Sequence, residues 1–218
     1  MKGTQVAKND VEIPSGKSVL KGNLEISQNA KGIVLFAHGS GSGRFSPRNT
    51  FVAGLFNKKG LSTLLIDLLT SEEEAVDEYT GQFRFDVEML AERLVDATKW
   101  LRKNPVTRDL AIGYFGASTG AAAALIAAAK LPIDTKAVVS RGGRPDLAGQ
   151  NLSRVKAPTL LIVGGADLEV LELNREALKL LKVEKKLEVV PGATHLFEEP
   201  GKLLEAADLA FDWFEKHL

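Results

Sequence analysis

Residues 116–120, Gly-Ala-Ser-Thr-Gly, have the pattern G-x-S-x-G, which can present a serine hydroxyl as a nucleophile on a turn from strand to helix. Such a serine needs a base to take its proton and a third group to orient the base. Of the three histidines, His195 follows a strand-like run, His38 lies within AHGSGSG, and His217 is the penultimate residue. Asp167 closes the run LLIVGGAD, between Ser118 and His195 in the chain. Ser118, Asp167 and His195 thus stand in the order nucleophile, orienting acid, general base, which suits acyl transfer from an ester to water. The competing reading makes Ser118 and Asp167 plain helix N-caps, with Glu169 or Asp146 as the acid. His38 is expected to hold its loop, and His217 to be exposed and idle.

Acyl transfer also needs donors for the oxyanion. The amide of Thr119, directly after the nucleophile, is one candidate. Ser40 supplies the second, with Gly41 as the alternative, because the loop from His38 to Gly43 is rich in glycine and can approach a carbonyl closely. Arg44 and Arg48 follow that loop, and Arg141 and Arg144 follow a later strand. One or two of them could clamp a carboxylate or phosphate. Alternatively they pair with the acidic run at 72–78 or with Asp146. Phe197, two residues past His195, either lines the pocket or belongs to the core. Two look-alikes fail: PSGKS lacks the first glycine of a P-loop, and GSGSGR has Arg44 where a dinucleotide fingerprint needs glycine.

These residues need strands to end on one side of a sheet. TQVAKNDVEI and SVLKGNLEIS flank PSG and predict an N-terminal hairpin. GIVLFAHG, LSTLLIDLL, LAIGYFG, KAVVSRGG, APTLLIVGGAD and KKLEVVPGA are apolar runs suited to buried strands. Helical patterns alternate with them. The clearest places Phe83, Val87, Leu90, Leu94, Ala97 and Leu101 on one stripe, and the last aligns Leu204, Ala207, Phe211, Phe214 and Leu218. TSEEEAVDEYTGQ is expected to be a solvated loop, the only candidate lid, and a short irregular stretch follows SRGG. The alternation predicts an α/β fold: one domain over residues 1–218, with about eight mostly parallel strands, helices on both faces and no cap domain.

Composition narrows the function. The 218 residues carry 28 lysines and arginines against 28 aspartates and glutamates, so no net field recruits nucleic acid or an anionic membrane. With no cysteine there is neither disulfide, thiolate metal site nor cysteine nucleophile. The N-terminus has no signal-peptide pattern, and TGAAAALIAAAKL is too short to span a bilayer. A cytoplasmic protein is expected, binding neither nucleic acid nor membrane and using no metal or cofactor.

LFAHGSGSGRFSPRN, GYFGASTGAAAAL, LLIVGGADLEVLELNREA and GATHLFEEPG resemble the dienelactone hydrolase-like branch of the α/β-hydrolase superfamily. The resemblance spans nearly the whole chain. It implies an eight-stranded sheet with an antiparallel second strand and metal-free hydrolysis of an ester-type bond. Related sequences can be fused to a phosphoribosyltransferase domain, which is not expected here. Dienelactone hydrolase proper has cysteine in the turn, where this chain has Ser118, so a lactone substrate does not follow. The expected function is cleavage of small esters through an acyl-enzyme on Ser118. The alternatives are acyl transfer or thioester hydrolysis by the same residues, or ligand binding without catalysis.

Overall fold

The computed structural model describes residues 7–218. Eight strands form one sheet: β1 (Ala7–Ser15), β2 (Ser18–Ile26), β3 (Gly32–Ala37), β4 (Ser62–Ile66), β5 (Ala111–Ala117), β6 (Thr135–Arg141), β7 (Thr159–Gly164) and β8 (Lys185–Val190). Their spatial order is β1-β2-β4-β3-β5-β6-β7-β8. β1 and β2 form the expected hairpin, although residues 4–6 of its first strand lie outside the described residues. β2 runs antiparallel to β4, and from β4 to β8 all pairs are parallel. The inner strands β3, β4 and β7 are buried at every position, because helices cover both faces and leave no side that favours alternation.

The helices are α1 (Pro47–Lys58), α2 (Ser71–Thr80), α3 (Val87–Lys103), α4 (Thr119–Lys130), α5 (Leu168–Leu180) and α6 (Lys202–His217). The stretch after β6 is a 3₁₀ segment, Pro145–Arg154, kinked at Gly149. α3 and α4 pack on one face of the sheet and α1 and α6 on the other. α4 is enclosed between β5, α3 and the 3₁₀ segment, and is buried from Thr119 to Ala128. Its alanines make this possible, since a helix without bulky side chains can be surrounded without strain. No described helix is long and apolar enough to cross a membrane.

Three expectations are corrected. Leu204 faces solvent at 45% exposure, and the inward face of α6 is carried by Ala207, Ala210, Phe211 and Phe214. α3 starts only at Val87, capped by Asp86, so Phe83 packs on the core from the preceding turn. Residues 71–80 form a helix rather than a loop.

α2 was concealed because it has no apolar stripe; Val76 and Tyr79 point outward. Its inward face carries charge, at Glu73 and Asp77, four residues apart and so on one side. Glu73 accepts from both terminal nitrogens of buried Arg93, and Asp77 accepts from the amides of Phe83 and Arg84 and from the Arg84 guanidinium. The start and stop were nevertheless written in sequence. Thr70 and Glu73 form a reciprocal capping box, and Gly81 ends the helix at φ 65°. Thr70→Ala is expected to cost about 1 kcal/mol of local stability. Amide exchange should then accelerate about 5-fold in α2 and stay unchanged in α4; uniform acceleration would contradict a local role.

Candidate active site

The register of the sheet brings the strand ends together. Ala37 pairs with Gly116, and Ala117 with Arg141, so the loops after β3, β5 and β6 emerge side by side. Ser118 sits between β5 and α4 at φ 51°, ψ −124°. Its side chain makes no capping hydrogen bond, which removes the plain N-cap reading. The turn is as tight as the sequence pattern implies. A Cβ on Gly116 would lie 2.4 Å from Ala121 Cα, and one on Gly120 would lie 2.3 Å from the Ala37 carbonyl oxygen.

Asp167 caps α5 by position but also without a capping bond. Its Oδ2 instead accepts a 2.7 Å hydrogen bond from His195 Nδ1. That contact fixes the imidazole tautomer and leaves Nε2 for the serine. Neither Glu169 nor Asp146 takes this place; Asp146 is engaged by Arg144. Ser118 and His195 line one cavity of ≈ 230 Å³ with Arg48, Arg141 and Leu196. No hydrogen bond joins Ser118 to His195 among the described residues; a contact between them needs a rotation of the serine side chain.

The glycine-rich loop separates this chamber from a larger cavity of ≈ 960 Å³, walled by the loop, Asp67, Leu68, α2 and Arg84. Gly39, Ser40, Ser42 and Ser46 border both. His38 holds the loop as expected: Nδ1 donates to the Gly39 carbonyl, and Nε2 accepts from the Leu68 amide, each at 2.9 Å. This pattern requires a neutral ring, and burial lowers the His38 pKa from its usual value. The Ser40 amide donates to Thr119 Oγ1 at 3.1 Å. It reaches a substrate oxygen only if that bond opens. Gly41, at φ 66°, borders the larger cavity and not the serine chamber.

The arginines divide. Arg44 is bound by Asp67, which also accepts from the Arg44 amide, and by Asn23. Arg144 is held by both oxygens of Asp146, and its amide donates to the Ser118 carbonyl. Arg48 reaches Glu198 at 2.9 Å through Nη1. None pairs with the run at 72–78, whose charges serve α2. Arg141 has no hydrogen-bond or carboxylate partner among the described residues.

Two further expectations change. Phe197 is 1% exposed and belongs to the core; Leu196 is the residue at the chamber. His217 is packed against Trp213, with its side chain 11% exposed, rather than idle in solvent. Sequence reasoning also missed Asp67 and Asn174. Asp67, directly after β4, pins the loop. Asn174 is fully buried on α5 and donates to the Gly143 carbonyl beside the serine turn. A polar residue on the apolar side of a helix was the available signal for Asn174.

The eight-stranded, mostly parallel sheet covered by helices is the fold of the α/β hydrolases. Residues 27–216 match the dienelactone hydrolase family, and the chain belongs to that family. It is similar to the crystal structure of a dienelactone hydrolase from Anabaena variabilis ATCC 29413: 57% identity, TM-score 0.97, covering 98% of this chain and 99% of the other. Est1E from Butyrivibrio proteoclasticus shares the fold at 15% identity and TM-score 0.79, covering 95% of this chain and 98% of that one. A Mycobacterium tuberculosis H37Rv protein named "Putative phosphoribosyl transferase Rv0571c" is 54% identical over 209 residues, 96% of this chain. The chain spans 46% of that relative's length.

His38 gives a pH test. Its folded pKa is lowered, so the unfolded chain binds the proton first, and the stabilisation present above about pH 6.5 is lost as pH falls toward the folded value. One proton contributes a slope of at most about 1.4 kcal/mol per pH unit. Urea unfolding between pH 8 and 5 should show a shallower dependence in His38→Gln than in the wild type. His217, also lowered by burial, keeps its own share in both proteins. Equal slopes would mean that His38 takes up its proton in the folded state.

Proposed function

We propose that this protein hydrolyses small ester-type substrates through an acyl-enzyme formed on Ser118. The observation that carries the reading is the 2.7 Å hydrogen bond from His195 Nδ1 to Asp167, beside a serine whose positive φ serves no capping purpose. His195 Nε2 removes the Ser118 proton as Oγ attacks the carbonyl, then returns it to the leaving alcohol. Asp167 stabilises the imidazolium that forms between these steps. The oxyanion is taken by the amide of Thr119 at the start of α4, aided by the positive end of the helix. The Ser40 amide joins when it exchanges Thr119 Oγ1 for the substrate oxygen. Water then enters, His195 takes its proton, and the acyl group leaves as the acid.

The acceptor is water in this reading, and the substrate a soluble small molecule met in the cytoplasm. Phosphoribosyl transfer, the activity in the Mycobacterium tuberculosis relative's name, is not part of this reading, which rests on the residues described here.

Hydrolysis of p-nitrophenyl acetate and butyrate tests the reading. Ser118→Ala should lower kcat by about 10⁴-fold or more with the fold unchanged. Activity that survives in Ser118→Ala, or failure of a fluorophosphonate to label Ser118 in the wild type, would favour a binding protein instead.

A further inference from the structure

Every polar group of Thr194, the residue before His195, is engaged. Its amide donates to both carboxylate oxygens of Glu199 at 3.1 Å, and its hydroxyl donates to Glu199 Oε1 at 2.6 Å. Its carbonyl accepts from the Phe197 amide at 3.2 Å, closing a turn with His195 and Leu196 at its tip. Phe197 leaves that turn at φ 58°, a left-handed conformation that a ring-bearing residue adopts only under constraint. One constraint is its ring, 1% exposed in the core shared with the inward face of α6. The other is the carboxylate of Glu199, which joins the far end of the loop back to its start.

Glu199 is rooted in a fixed element. Its own carbonyl accepts from the Lys202 amide at the start of α6, and α6 is buried along Ala206, Ala207, Ala210 and Phe214. His195, by contrast, is carried by a loop, although its Nδ1 is tied to Asp167 at 2.7 Å. Contact stops the loop on one side: a Cβ on Gly142 would lie 2.9 Å from the His195 carbonyl oxygen. Retreat the other way is opposed by the Phe197 ring and the bonds to Thr194. The neighbouring ion pair of Glu198 with Arg48 is exposed on the glutamate side, where solvent screens it.

Resting on the serine hydrolase reading, we propose that Glu199 is a positioning residue for the general base: by clamping Thr194 it holds the loop in the conformation that aims His195 at both Asp167 and Ser118. It touches neither the substrate nor the reacting atoms. With the clamp open, the turn is free to relax at Phe197, and the imidazole shifts against two partners that stay where they are. A displacement of about 1 Å at a reacting group can cost about 10²-fold in rate. Glu199 Oε1 alone accepts from both the amide and the hydroxyl, so a glutamine with its oxygen there keeps the clamp.

The test follows hydrolysis of p-nitrophenyl butyrate, with kcat expressed per site labelled to completion by a fluorophosphonate. Glu199→Ala should lower kcat per labelled site by about 10- to 100-fold and leave KM within about twofold. A merely structural role would lower the labelled fraction and leave kcat per site unchanged. Glu199→Gln should stay within about threefold of the wild type, since it loses charge assistance and keeps both bonds. Thr194→Val, which removes the hydroxyl and keeps the amide, should fall between the two and add nothing in the Glu199→Ala background. The imidazole is read separately, without substrate, from the nitrogen chemical shifts of His195, assigned by comparison with His195→Gln. They should report the proton on Nδ1 in the wild type and in Glu199→Gln, and a mixture of tautomers in Glu199→Ala.

Equal kcat per labelled site in the wild type and Glu199→Ala overturns the proposal and leaves the hydrolase reading standing. So does a loss in Glu199→Gln as large as in Glu199→Ala, or a wild-type tautomer in Glu199→Ala. No cleavage of the ester by the wild type, together with a His195 tautomer that depends on Glu199, would overturn the hydrolase reading and keep the positioning of His195.

Discussion

Ser118 occupies a backbone conformation that costs a residue with a side chain about 1–3 kcal/mol, and the surrounding structure must over-determine it to keep it there. The constraint is close approach. Gly120 lies where a single added carbon would meet the carbonyls of Ala37 and His38, so the start of α4 is pressed against the end of β3. From this the rest follows. α4 must be thin, hence its alanines, and it must be central, hence its enclosure by α3 and the 3₁₀ segment. The loop after β3 is then forced over the serine, where Thr119 Oγ1 and the Ser40 amide meet.

The polar groups around the turn fall into two kinds. Asp67 with Arg44, His38 with Leu68, and Asn174 with Gly143 each tie a loop to another element through hydrogen bonds. They make a rigid collar. Inside it, Ser118, His195 and Arg141 line one chamber.

The order of strands and helices was readable because buried parallel strands are continuous apolar runs and covering helices have periodic stripes. That Ser118, Asp167 and His195 lie near one another was readable for a different reason: each follows a strand, and a parallel sheet collects the strand ends on one edge. α2 was hidden because ion pairs dock it, and a charged inward face looks like a solvated one until Arg93 and Arg84 are placed opposite. The fate of the arginines was likewise beyond local reading. Arg44 and Arg144 differ from Arg141 through acceptors that the fold brings to them or, for Arg144, through Asp146 two residues on. No spacing rule distinguishes a neighbour that turns toward a side chain from one that turns away.

The docking of α2 has a mechanical consequence. Greasy contacts tolerate sliding, since one methyl group replaces another at little cost. Glu73 and Asp77 instead engage directional partners, Arg93 and Arg84. The wall of the larger cavity is therefore held by directional bonds and not by apolar packing alone.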